Sequence, residues 1–256
     1  MYGRMQFADF VVSWALQSLS KSLQKVSDRR SETPGGLRCS DEKAIALTAE
    51  RLLSLWQMAQ WSVARLEQKA AQADLKTVIA LCNQSRPPER QAAERLLERA
   101  EGKAALLLTD LLATLDPGPP TVDIREQLGT LLQAESERWR SYPALRQISE
   151  EALVDHGMLR AFEKANDLSR RLDRISDSSE GRSASGKRLQ RAGRWVRHSV
   201  NHLELLRPAL SEAGRTRRWH LNRLAAKLDD QWALERFART AALFDLKPKA
   251  SVRLDR

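Results

Sequence analysis

Between Lys187 and Leu206 the chain reads "KRLQRAGRWVRHSVNHLELL". At 100° per residue, Leu189, Ala192, Val196, Val200 and Leu203 fall on one side of a helix. Lys187, Arg191, Arg194, His198 and His202 fall on the other, with Arg197 at its edge. An apolar stripe of this period predicts a helix buried along one face. No carboxylate stands between Glu180 and Glu204, so the cations have no acid to pair with inside their own helix. Like charges at these spacings repel, by about a few tenths of a kcal/mol per pair. A phosphate-rich partner would relieve that repulsion, and Arg would give it forked hydrogen bonds.

The same design continues downstream. Leu221, Leu224, Leu228 and Trp232 make a second apolar stripe, while Arg217, His220, Arg223 and Lys227 follow at i, i+3 and i+4 spacing on another face. Two such neighbouring helices are expected to line one concave basic surface. Upstream, a helix over 155–175 carries Arg160 and Lys164 together with Glu163, Asp167 and Asp173, which are able to pair with its cations. The candidate polyanion-binding set is Lys187, Arg188, Arg191, Arg194, Arg197, His198, His202, Arg217, His220, Arg223, Lys227, Arg160 and Lys164.

Helical periodicity extends through the rest of the 256 residues. Further helices are predicted at Met5–Ser27, 41–82, 89–114, 123–141 and 216–243, with Ser40 as the N-cap of the second. The breaks "NQSRPPER", "DPGPPTVD", "SYP", "SDSSEGRSASG" and "RPALSEAG" separate them. No alternating run suggests a strand, so the expected fold is all-α, a bundle of antiparallel helices. The Pro-rich break at 116–120 divides a single domain over 1–256 into a first half, 1–115, and a basic second half, 124–246.

Charge follows that division. Residues 1–150 hold 20 Lys+Arg against 19 Asp+Glu, whereas residues 151–256 hold 23 against 14. Nearly all of the +10 net charge therefore lies in the last two-fifths of the chain, as expected of a protein that meets a polyanion there. A solvated basic surface is the bland alternative.

The catalytic motifs fail one by one. "HSVNH" has the i, i+4 histidine spacing of a metal site, but the zincin motif needs Glu where Ser199 stands, and a third ligand is not indicated. Gly181–Lys187 spells GxxxxGK, but Arg188 occupies the Ser/Thr position and no strand precedes it. That stretch reads as a flexible loop feeding a basic helix, whose free N–H groups could contact phosphate. His156 reads as a helix-start residue, and the seven tryptophans mostly as packing. Cys39 and Cys82 are too few for a disulfide framework or a zinc site. The expectation is a non-enzymatic, cytoplasmic protein with no cofactor, no leader peptide and no membrane span.

Residues 189–206 resemble the second signature helix of the CHAD domain, the conserved histidine α-helical domain, which runs roughly L-H-x-x-R-K-x-x-K-x-x-x-Y-x-L-x-L-L. Leu189, Arg194, Arg197, Leu203, Leu205 and Leu206 fit without a gap. "LNRLAAKLDDQWALERF" resembles the family's following helix through Leu221, Leu224, Leu228 and Leu234, and "MLRAFEKANDLSRRL" looks like its preceding basic helix. Gln190, Gly193 and Asn201 replace the signature histidine, arginine and tyrosine, and Trp232 and Ala233 stand where a His-Asp pair is usual. In the first half, Ala46 and Ala49 take the places of His and Arg. The resemblance implies two similar four-helix halves and binding of inorganic polyphosphate without catalysis, with association with polyphosphate granules. Nucleic-acid binding, and a structural helical protein with a decayed anion site, are the alternatives.

Overall fold

The computed structural model describes residues 7–28, 37–60, 63–84, 88–98, 100–114, 124–141, 145, 157–176, 182–205 and 211–243. Among them the chain is all-α: α1 Phe7–Ser27, α2 Cys39–Met58, α3 Arg65–Cys82, α4 Pro88–Leu97, α5 Gly102–Thr114, α6 Arg125–Ser141, α7 Arg160–Ser176, α8 Arg182–Leu205 and α9 Glu212–Leu243. No strand occurs among the described residues, and no helix there is long and apolar enough to cross a membrane.

Two predicted helices are each divided. The 41–82 segment breaks after Met58, where neither Gly nor Pro marks the place. The end of α2 is instead satisfied by a side chain, Gln68 Nε2 donating to the Trp56 carbonyl at 3.1 Å, while Val63 is buried as an anchor. The 89–114 segment breaks before Gly102, which adopts φ +57°, a conformation that costs glycine least. Ser40 is not the N-cap of α2: that position is Arg38, with no side-chain cap. Asp41 in the first turn is held by Lys25 from the end of α1, at 2.5 Å.

The helices pack around two cores. In the first, α1, α2, α3 and α6 close a ring, each touching two of the others. Residues at helical spacing supply it: Val11, Ala15 and Leu19 from α1, Ile45, Leu52 and Trp56 from α2, Leu75 from α3, Leu128 and Leu132 from α6. Each large aliphatic side chain so buried contributes about 1.5–3 kcal/mol before chain entropy. The ring holds one polar network. Glu135, fully buried, accepts hydrogen bonds from the indole N–H groups of Trp56 and Trp139 and from Arg138, which also pairs with Asp74. Trp56 and Trp139 are thus packing residues, as expected of most tryptophans here. Trp61, Trp232 and His156 lie outside the described residues or side chains.

The second core is smaller. It joins α7, α8 and α9 through Ala165, Leu189, Ala192, Val196, Ala225 and Leu228, with α8 in the middle. Leu189, Ala192, Val196 and Val200 of the first stripe and Leu221, Leu224 and Leu228 of the second form its inner faces. Helix α4 packs on α9, where Arg95 pairs with Asp230 at 2.6 Å, and α2 packs on α8. The packing groups therefore do not follow the division at 116–120. Helix α6, from beyond the break, completes the first ring, and α4, from before it, leans on the second group.

Candidate anion-binding cleft

The seam between α2 and α8 positions the site. Ser54 lies between Glu50 and Gln57 on one face of α2, and its hydroxyl donates to the Glu50 carbonyl at 3.0 Å. The same oxygen accepts from Asn201 Nδ2 and lies 2.9 Å from His198 Nδ1. With its only proton already committed, Ser54 leaves Nδ1 of His198 as the donor and Nε2 as a bare acceptor. One turn further, His202 Nε2 donates to the Ser54 carbonyl at 2.8 Å, while its Nδ1 is buried without a partner among the described residues. The two imidazoles are nearly parallel, 6.5 Å apart.

These contacts correct the expectation for the histidines. His202 is 1% exposed and cannot meet a ligand. Burial, resisted only by the Ser54 hydrogen bond, lowers its pKa to about 4. His198 reaches the cleft but is lowered to about 3, first by burial and then by the positive environment of His202, Arg194 and Arg197. Neither is a cation at pH 6.5, so binding is not expected to strengthen as the pH falls through that value.

Arg197 also has a different role from the expected one. Its acids come from other helices: Nη2 lies 2.6 Å from Asp229 Oδ1 of α9, and Nη1 lies 3.5 Å from Glu50 Oε1 of α2. Burial raises the pKa of both carboxylates, and Arg197 opposes that rise. Arg197 therefore clamps α8 between its neighbours and is largely neutralised there.

Beside this seam opens a cleft of about 610 Å³ between α8 and the α2–α3 pair. From α8 come Gln190, Arg191, Arg194, Trp195, Arg197, His198 and Asn201. Facing them are Glu50, Ser54, Gln57 and Gln60 from the α2 side, and Gln72 and Lys76 from α3. Four lining cations face one carboxylate. Arg191 and Arg194 are exposed and have no ion-pair partner among the described residues. Gln57 is 3% exposed, and neither its amide nitrogen nor its amide oxygen has a hydrogen-bond partner among the described residues. The α2–α3 residues escaped the sequence reading, although their signal is present. Glu50, Ser54 and Gln57 are polar at i, i+4 and i+7 on a helix whose neighbours at those positions are core.

The remaining candidates lie elsewhere. Arg217 and His220 line a separate open groove of about 690 Å³ between α7 and α9, with Phe162, Leu221 and Leu224. Arg217 stands over the Phe162 ring at 4.9 Å, and Arg223 over Trp219 at 4.7 Å. The basic faces of α8 and α9 consequently do not make one concave surface, as the pattern predicts; each faces its own depression. Lys164 lies over Trp195 at 4.8 Å and so touches the back of the cleft. Arg188 and Lys227 are exposed, Arg160 is half-buried at the start of α7, and the three line neither depression. The Lys187 side chain lies outside the described residues. The backbone over 182–187 is helical and forms the first turns of α8, so the GxxxxGK stretch is neither a phosphate loop nor a flexible loop ahead of the helix. Cys39 and Cys82 form no disulfide, and burial raises the Cys82 thiol to about 12.

No protein-family model matches the chain, and no curated protein or solved structure matches it.

Proposed function

We propose that the protein binds inorganic polyphosphate, or a similar polyanion, in the α2–α3–α8 cleft, without catalysis of its own. The observation that carries this reading is the placement of Arg191 and Arg194. Both are unpaired among the described residues, and both line a concave site with Lys76 on its opposite wall. Field lines focus in such a cleft, and guanidinium groups offer paired donors to phosphate oxygens. The likeness of residues 189–206 to the CHAD signature helix supports the same reading, since Arg194 falls on one of its basic positions.

Titration of labelled polyphosphate into the full chain at low and moderate salt tests it. Binding is expected at low salt and steeply weaker at moderate salt, with no gain from His198 between pH 7.5 and 5.5, because it stays neutral. Arg191→Glu with Arg194→Glu is expected to abolish it. Undetectable binding at low salt, or full binding by the double variant, would overturn the reading. Arg197 is unsuited to this test, because its loss would also release Glu50 and Asp229.

One observation favours nucleic acid as a second reading. Trp219 is half-exposed, with Arg223 on its face and His220 at its edge, the kind of platform on which an unpaired base stacks. Loss of single-stranded RNA binding in Trp219→Ala, but not in the Arg191/Arg194 variant, would place that activity on α9.

A further inference from the structure

We infer that the cleft is built for a phosphate ester bearing free hydroxyl groups, with phosphate held by Arg191 and Arg194 and a hydroxyl held by the Gln57 amide. This deepens the anion-binding reading and rests on it. It rests on the neutral half of the lining. Gln57, Gln60, Gln72, Gln190, Asn201 and Ser54 surround the cations, an amide-rich wall that a bare polyanion does not need.

Gln57 is the sharpest case. Its nitrogen and oxygen are both buried and unpartnered among the described residues, although buried amides are nearly always hydrogen-bonded. A phosphate oxygen can accept from the amide nitrogen, but the amide oxygen needs a donor, and the interior of an inorganic polyphosphate chain carries none. A hydroxyl group is donor and acceptor together, so it can satisfy either end. His198 adds a further acceptor: its Nδ1 is committed to Ser54, which leaves Nε2 able to receive a hydroxyl proton. The volume of about 610 Å³ fits a small organic phosphate, within the range of small-molecule sites.

Two probes with three phosphates each separate the terms: inorganic tripolyphosphate, and inositol 1,4,5-trisphosphate, which adds free hydroxyls. Calorimetric titration of the full chain at one salt concentration is expected to show the inositol phosphate binding about tenfold more tightly, the order of one well-made hydrogen-bonded group. Gln57→Leu is expected to erase that preference, bringing the two affinities together. Gln57→Met, closer in shape, serves if the leucine variant melts early. Equal affinities in the unaltered chain, or a preference that survives both substitutions, overturns the inference alone. Failure of both probes to bind, or binding that survives Arg191→Glu with Arg194→Glu, overturns the anion-binding reading and the inference with it.

Discussion

At Gly157 a methyl group has no room. A Cβ there would lie 2.5 Å from the Met58 carbonyl oxygen and 2.9 Å from Met58 Cα, so the chain entering α7 passes against the end of α2 too closely for any side chain. Both neighbours are backbone and cannot turn away. Gly157→Ala is expected to cost about 2 kcal/mol or more in urea denaturation. Gly193 predicts the opposite. In the sequence it looks like a lost signature arginine, but in α8 its Cβ would meet Asp229, Leu228 and Arg197 at 3.6–3.8 Å, ordinary contact distances. Glycine inside a helix is about 1 kcal/mol less favourable than alanine, so Gly193→Ala is expected to stabilise by about 0.5–1 kcal/mol. The sequence marks both positions alike, and only the approach of a second helix separates them.

The apolar faces of α8 and α9 were legible because a period of 3.6 survives without tertiary information; Leu189, Ala192 and Val196 are buried where the stripe places them. The polar face of α8 was legible only in part. Its line of cations is present, but periodicity cannot tell an outward face from one that meets another helix, and α2 supplies Ser54, Glu50 and the burial that keeps the histidines neutral. That seam has a consequence for stability. His202 has a folded pKa of about 4 against an ordinary value near 6.5. Its contribution is complete above pH 6.5 and is lost as the pH falls toward 4, because the unfolded chain takes up the proton first. By pH 5 the loss is about 2 kcal/mol for this one residue. Glu50 and Asp229, raised by burial, act in the opposite direction and favour the fold in acid. The informative measurement is therefore a difference: between pH 7.5 and 5, the melting temperature of the unaltered chain should fall further than that of His202→Gln. Parallel pH profiles would show that the imidazole is not held neutral.

For the molecule as a whole, the all-α class followed from periodicity and the absence of alternating runs, whereas the assignment of helices to groups did not. The Pro-rich break at 116–120 looks like a boundary, and local punctuation carries no information about which helices meet across it. The contacts that decide the matter are long-range. Leu128 and Leu132 of α6 enter the core formed by α1, α2 and α3, and Glu135 of α6 receives the Trp56 indole from 79 residues away. In a chain ending at residue 115 the ring is open. The inner faces of α1 and α3 then lie in water, and the Trp56 N–H loses its carboxylate, which costs about 1–3 kcal/mol wherever the group stays buried. A fragment over 1–115 is therefore expected not to fold cooperatively by itself, and a fragment over 124–246 to expose the apolar face of α6. Mixed together, the two should regain helical circular dichroism and a cooperative melt, and Glu135→Leu in the second fragment should weaken that recovery. Two fragments that each melt cooperatively alone would instead support independent halves divided at the proline-rich break.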